Sequence, residues 1–274
     1  MNASPDALSR IAEALERLSP PPRQPSDVEA YPAYVWRDGT VQATRAFAPL
    51  PIDILTGIDE QKAAVLANAR RLASGHSAHD VLLWGARGMG KSALVKSVVG
   101  TLQAEGADIA LVEVAGDHLA DLPALFAQIA RTPRAFALFI DDLGFDDNGK
   151  EARLLRSLLE GGAEARPANA RLHVTSNRRH IVPRGMDEQQ NAINPRDVVD
   201  DRMALSDRFG LSLGFHNCDQ DSYLAMVETY ARLNDLPFDP ADALLWSTQR
   251  GGRSGRVAWH YAVELAGRVG KRIG

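Results

Sequence analysis

Residues 82–92 read LLWGARGMGKS, an apolar run that breaks into a loop with glycines at 85, 88 and 90 and then meets Lys91 and Ser92 at once. Glycine gives up backbone order on folding, so a loop this rich in it needs conformations or close approaches that other side chains forbid. The spacing satisfies G-x-x-x-x-G-K-[ST] at every fixed position. In such a loop successive N–H groups curl toward phosphate oxygens, and the helix that follows adds its unsatisfied first amides and its dipole. Lys91 would neutralise charge on the terminal phosphates, and Ser92 would offer a hydroxyl to Mg²⁺. The plainer alternative is a glycine-rich strand–helix turn that binds nothing. Either way the chain must place a buried strand directly before a helix here, which points to an α/β protein.

The surrounding pattern agrees. From GIDEQKAAVLANARRLASG onward, helix 59–74 precedes strand DVLLWG, and the loop opens helix KSALVKSVVGTLQAEG. Strand IALVEV, helix LADLPALFAQIART, strand AFALFIDDL, helix KEARLLRSLLEGG, strand RLHVTSN and a last run LSLGF follow. Short apolar runs alternating with helices predict a parallel sheet covered on both faces. After Phe215 only helical patterns remain. Before residue 51, SRIAEALERL reads as a short helix and SPPPRQPSD as a stiff linker. AYVWR and TVQATRAF around DGT read as a hairpin packed on the main domain. The expected organisation is an N-terminal extension over 1–50, a nucleotide-binding core over 51–215 and a helical lid over 216–274.

Composition excludes several alternatives. The 274 residues are 45% hydrophobic, enough for a sizeable core, and Lys plus Arg total 31 against 35 Asp plus Glu, a formal charge of -4. That balance argues against a whole-molecule nucleic-acid footprint. The single cysteine, Cys218, excludes an internal disulfide framework and a cysteine zinc site within the chain, and reads as a small packed residue. The seven histidines show no metal-ligand spacing, and His173 falls inside a strand, where packing is expected. The N-terminal stretch lacks a signal-peptide core and no run approaches about 18 apolar residues. A cytoplasmic protein without a membrane span is therefore expected.

A triphosphatase needs a carboxylate at the tip of a buried strand, and AFALFIDDL supplies Asp141 and Asp142. Asp141 is placed to hold Mg²⁺ through its water shell. Asp142 would position the attacking water or accept its proton. Many such enzymes carry Glu there, one methylene longer, so a closer water, slow turnover or help from Asp146 are all open. Asn177, ending RLHVTSN after Thr175 and Ser176, could orient the water, though TSN is also a common turn.

With these pieces in order, the chain resembles the AAA+ ATPases, and more narrowly the DUF815 group of bacterial ATP-binding proteins, related to helicase-loader and transposition-helper ATPases. The resemblance spans LTGIDEQK to SGRVAWHYA and is carried by GARGMGKS, FIDDLGFD, LLEGG, VTSNRRHIVP and LSDRFGLSLGF. It implies a three-layer αβα P-loop NTPase core with a parallel sheet and a small helical lid. ATP and Mg²⁺ would be the ligands, hydrolysed to ADP and phosphate. Ile58 matches a position that often touches adenine. Gly85, Arg87, Gly88, Met89, Gly90, Lys91, Ser92 and Ala93 would form the phosphate loop, with Ser92 and Asp141 at the metal. Asn177 takes the sensor-1 role, Arg208 in SDRFG the arginine-finger role toward a neighbouring subunit, and Arg256 the sensor-2 role, with Arg253 its competitor. The absence of a guanine-specifying N-K-x-D agrees with ATP.

The resemblance thus implies a homo-oligomer with a shared site and a protein partner that the sequence does not name. An ATP-gated adaptor with little turnover is the rival reading. A single-stranded-DNA-binding ATPase using Arg178, Arg179, His180 and Arg184 is another; a solvated loop is favoured there, since aromatic residues are sparse around it. A small-molecule kinase fits poorly, because SDRFG would have no task.

Overall fold

Strands β1 (Ala33–Arg37), β2 (Thr40–Ala43), β3 (Val81–Gly85), β4 (Ile109–Val114), β5 (Ala135–Ile140), β6 (Ala170–Ser176) and β7 (Leu211–Phe215) form one sheet in the order β2-β1-β4-β5-β6-β3-β7. All neighbours run parallel except β1 and β2. The computed structural model describes residues 5–18, 25–144, 150–161, 166–177 and 207–273.

Alternate side chains of each central strand enter opposite cores, as a doubly covered parallel sheet requires. In β5, Ala137 and Phe139 join one cluster while Phe136, Leu138 and Ile140 join the other, all of them fully buried. The first face is covered by α2 (Asp59–Ala73) and α3 (Lys91–Ala104), whose Val65, Leu72, Leu94 and Val98 belong to its cluster. The second is covered by α4 (Leu122–Ile129) and α5 (Lys150–Glu160), through residues such as Leu125, Ile129 and Leu155.

Helix α4 begins later than the apolar pattern predicts. Residues Gly116–Asp121 form a 3₁₀ turn and the α-helix starts at Leu122, so that Pro123 occupies its first turn. Proline lacks the N–H an interior position would donate, and the start of a helix is where it does no harm.

The hairpin expected near the N-terminus is part of the sheet itself. Asp38 and Gly39 both take positive φ (53° and 70°), the two-residue turn that matches strand twist. β2 ends at Ala43, short of the predicted run, and β1 pairs in parallel with β4. The preceding residues are pinned by Tyr34, whose hydroxyl receives the Tyr31 N–H and donates to Asp27 O, and by Arg134, which donates to Val28 O. Helix α1 (Pro5–Leu18) precedes all of this, with Leu8, Ile11 and Leu15 more than half exposed.

Helices α6 (Gln220–Leu233), α7 (Pro240–Gln249) and α8 (Gly255–Arg268) follow β7. Each opens on a side-chain cap: Asp219 accepts from Ser222 N, Asp239 from Ala241 N and Ser254 from Val257 N. Their apolar faces, including Tyr223, Val227, Ala258 and Tyr261, are continuous with the first core cluster. Among the described residues no helix is long and apolar enough to cross a membrane.

One glycine ties the loop of residues 85–92 to the sheet. Gly85 sits at φ 118°, and a Cβ there would lie 2.2 Å from the Phe215 carbonyl oxygen, which itself accepts the Ala86 N–H at 2.8 Å. Backbone cannot yield as a flexible side chain can. We expect Gly85→Ala to destabilise the fold by roughly 3 kcal/mol, read from chemical denaturation, with β3 and β7 forced apart.

Candidate functional site

The sheet order brings the chemistry together. Parallel strands put their C-terminal ends on one edge, where ligands of open α/β sheets bind. β6 lies between β5 and β3, so Asn177 stands between the Asp141–Asp142 pair and the glycine loop. Gly85, Gly88 and Gly90 all have positive φ, and Gly90 caps α3 in the left-handed conformation. The loop thus leads straight into the first turn of α3, whose free amides and dipole face its concavity.

Lys91 is 5% exposed, and its ammonium donates to Gly85 O at 2.9 Å, Ala86 O at 2.8 Å and Asn177 Oδ1 at 2.9 Å. Burial lowers its pKa from 10.5 to about 8, opposed by the charges of Asp142 and Asp141 and reinforced by Arg256 and Arg87. A cation so poorly solvated gains strongly from an incoming anion.

Ser92 Oγ donates to Asp141 Oδ1 at 2.6 Å, joining two residues 49 apart in sequence. This pair is an exposed set of hydroxyl and carboxylate oxygens, the donor chemistry suited to a hard divalent cation that keeps several waters. Ser92 and Asp141 are therefore the residues that could hold Mg²⁺. The same Oδ1 accepts a second hydrogen bond from Thr175 Oγ1, also at 2.6 Å. Asp142 takes the left-handed conformation (φ 52°); its N–H donates to Thr175 Oγ1 at 2.8 Å and its carboxylate accepts from Asn177 Nδ2. Arg87, largely exposed, lies 3.6 Å from the other Asp142 oxygen.

The C-terminal helices reach the loop through backbone. Arg256 N–H donates to Gly88 O at 3.1 Å, and a Cβ on Gly88 would lie 2.8 Å from Ser254 Oγ. This geometry separates Arg256 from Arg253. Arg256 is close enough to depress the Lys91 pKa, whereas the charge of Arg253 acts on Cys218, Asp219 and Tyr223 at the start of α6. Ile58 is buried at the N-cap of α2, and a Cβ on Gly90 would meet its Cδ1 at 3.6 Å.

The Arg208 guanidinium pairs with Glu160 at the end of α5. Arg178, Arg179, His180, Arg184 and Asp146 lie outside the described residues. Cys218 is half-buried, its thiol pushed up to about 11 chiefly by burial, so it stays protonated and unreactive near neutral pH. His173 is fully buried in β6, as expected of a packed residue. No cluster of three potential metal-ligating side chains occurs among the described residues. Thr175 and Glu160 are the participants that pattern reading passed over. Thr175 was visible as the polar end of a strand, but nothing local marks Glu160 as the partner of Arg208.

A parallel sheet in this order, a glycine loop opening α3, an acidic pair on the strand one place removed and a helical C-terminal region define an AAA+ P-loop fold. The chain belongs to the family described as Protein of unknown function (DUF815), which matches residues 29–269. Comparison with curated proteins gives no match. Among solved structures, a RuvB mutant of Thermotoga maritima aligns with TM-score 0.53 and 20% identity over 82% of this chain and 69% of that one. The Aeropyrum pernix Orc1 protein in complex with DNA aligns with TM-score 0.54 and 16% identity over 82% of this chain and 66% of that one. At such identities the likeness establishes the fold alone.

Proposed function

We propose that this chain binds ATP with Mg²⁺ and hydrolyses it to ADP and phosphate in an assembly of like subunits, using the cycle to remodel or load a protein partner. The observation that supports the reading is the Ser92–Asp141 contact at 2.6 Å beside the buried Lys91, which brings a hydroxyl, a carboxylate and an ammonium together. In the proposed complex the backbone from Gly85 through Ala93 and the Lys91 ammonium hold the phosphates, with Ile58 near the base. Mg²⁺, held by Ser92 and by Asp141 through its waters, would offset charge on the phosphate oxygens. Asp142 and Asn177 would orient water in line with the γ-phosphate. Arg256 from the lid and Arg208 from a neighbouring subunit would meet the negative charge that grows on the transferred group.

A second reading is supported by the same carboxylate. Asp142 is shorter than glutamate and is already engaged by Asn177 and Arg87, an arrangement suited to an ATP-gated adaptor that turns over slowly and changes its grip on a partner. Steady-state ATP hydrolysis against protein concentration separates the two. Specific activity that climbs with concentration supports the shared-site ATPase. Tight ATP binding without turnover at any concentration would replace it with the switch.

A further inference from the structure

Asp141 Oδ1 accepts two hydroxyl protons, from Ser92 and from Thr175, each at 2.6 Å, and the two donors differ in freedom. Ser92 lies in the open first turn of α3 and is itself assigned to the metal. Thr175 is 1% exposed in β6 and β-branched, so its χ1 has little freedom. Its hydroxyl has a single proton. Because the oxygen accepts the Asp142 N–H at 2.8 Å, that proton is left pointing at Asp141. The Thr175 carbonyl in turn accepts the Leu143 N–H at 2.9 Å. One residue therefore grips three successive residues of the acidic tip: the carboxylate of Asp141 and the amides of Asp142 and Leu143. It does so where Asp142 holds a left-handed backbone, a conformation that persists only when neighbouring contacts enforce it.

We propose that Thr175 is the positioning residue of the metal site, fixing the Asp141 carboxylate in place when Ser92 turns its hydroxyl away toward Mg²⁺. This rests on the ATP- and Mg²⁺-binding reading above. Thr175 touches neither nucleotide nor metal. It acts through Asp141, as hydrogen bonds behind metal-site carboxylates generally do, and loss of such a partner typically weakens metal affinity about 10–100-fold.

The test is equilibrium binding of a fluorescent ATP analogue to the full chain, titrated with Mg²⁺ and repeated in excess EDTA, for the unaltered protein, Thr175→Val and Thr175→Ser. Valine keeps the shape and removes the hydroxyl; serine restores the hydroxyl. The expected result is a Mg²⁺ requirement about tenfold or more higher in Thr175→Val, with EDTA binding unchanged and Thr175→Ser close to the unaltered protein. Thr175→Ala, read the same way, replaces valine if circular dichroism shows that variant unfolded. Identical Mg²⁺ titrations overturn the role. So does an equal loss of affinity with and without Mg²⁺, which would make Thr175 a packing residue of the whole loop. If the unaltered protein binds no nucleotide, the functional reading itself falls and this role with it; normal binding by the unaltered protein confines any failure to Thr175.

Discussion

Lys91→Ala is expected to weaken ATP binding by about 100-fold or more, equivalent to roughly 2.7 kcal/mol, while leaving the chain folded. The ammonium is nearly enclosed and its three partners are two carbonyls and an amide oxygen, so it is hydrogen-bonded but lacks a directly bonded counter-charge. Phosphate would supply one, and charge-assisted contacts of this kind are the strong ones. Fluorescent-analogue titration measures the loss. The pH dependence gives a second readout of the same group. Its native pKa of about 8 lies below the ordinary 10.5. Below about 8 both native and unfolded chains carry the proton, so the burial penalty is constant. Between about 8 and 10.5 the unfolded chain keeps a proton that the native chain has lost, so this group's contribution to stability rises with pH. Nucleotide affinity should move the other way, falling above about pH 8 as the ammonium is lost. Both trends should vanish in Lys91→Met. Affinity in Lys91→Ala equal to that of the unaltered protein would remove the phosphate role from this loop.

Arg208→Ala is expected to leave ATP affinity nearly intact and to lower hydrolysis by about 10³-fold, the scale on which an arginine supplied to a γ-phosphate acts. Within one chain Arg208 pairs with Glu160; its proposed action across a subunit boundary follows from the resemblance carried by SDRFG. Mixing provides the decisive measurement. Lys91→Ala subunits retain the arginine and Arg208→Ala subunits retain the loop, so a mixture of two inactive proteins should recover activity if sites are shared. No recovery, with each variant still able to assemble, would confine Arg208 to its structural pairing with Glu160.

The parts of this site that could be read from sequence are those in which chemistry and local structure coincide. Gly85 to Ser92, Asp141 with Asp142, and Asn177 each sit at a strand end within a few residues of the pattern that marks them, and the structure brings all of them to one edge. What escaped reading depends on pairing between distant segments. The Asp38–Gly39 turn announces a hairpin, but nothing near it says that β1 will lie beside β4. Buried polar ties are equally silent. Asn68 exchanges two hydrogen bonds with the His79 backbone, and Asp80 holds Arg166 by both oxygens while accepting the Leu172 N–H. An asparagine or aspartate in a polar stretch looks alike whether it faces water or closes such a joint. Pro123, which favours a helix's first turn, marks the start of α4 more closely than the apolar spacing does.

The placement of β3 also sets a timetable. Its loop leans on Asn177 just past β6, on Phe215 from β7 and on Arg256 from α8, yet it precedes all three in the chain. Contacts this distant in sequence close slowly, and on a ribosome they cannot close until the later segments have emerged. A nascent chain carrying the complete GARGMGKS motif therefore lacks the scaffold that shapes it until residue 256 is out. Under the ATP-binding proposal, capture of nucleotide would therefore begin only once residue 256 had emerged.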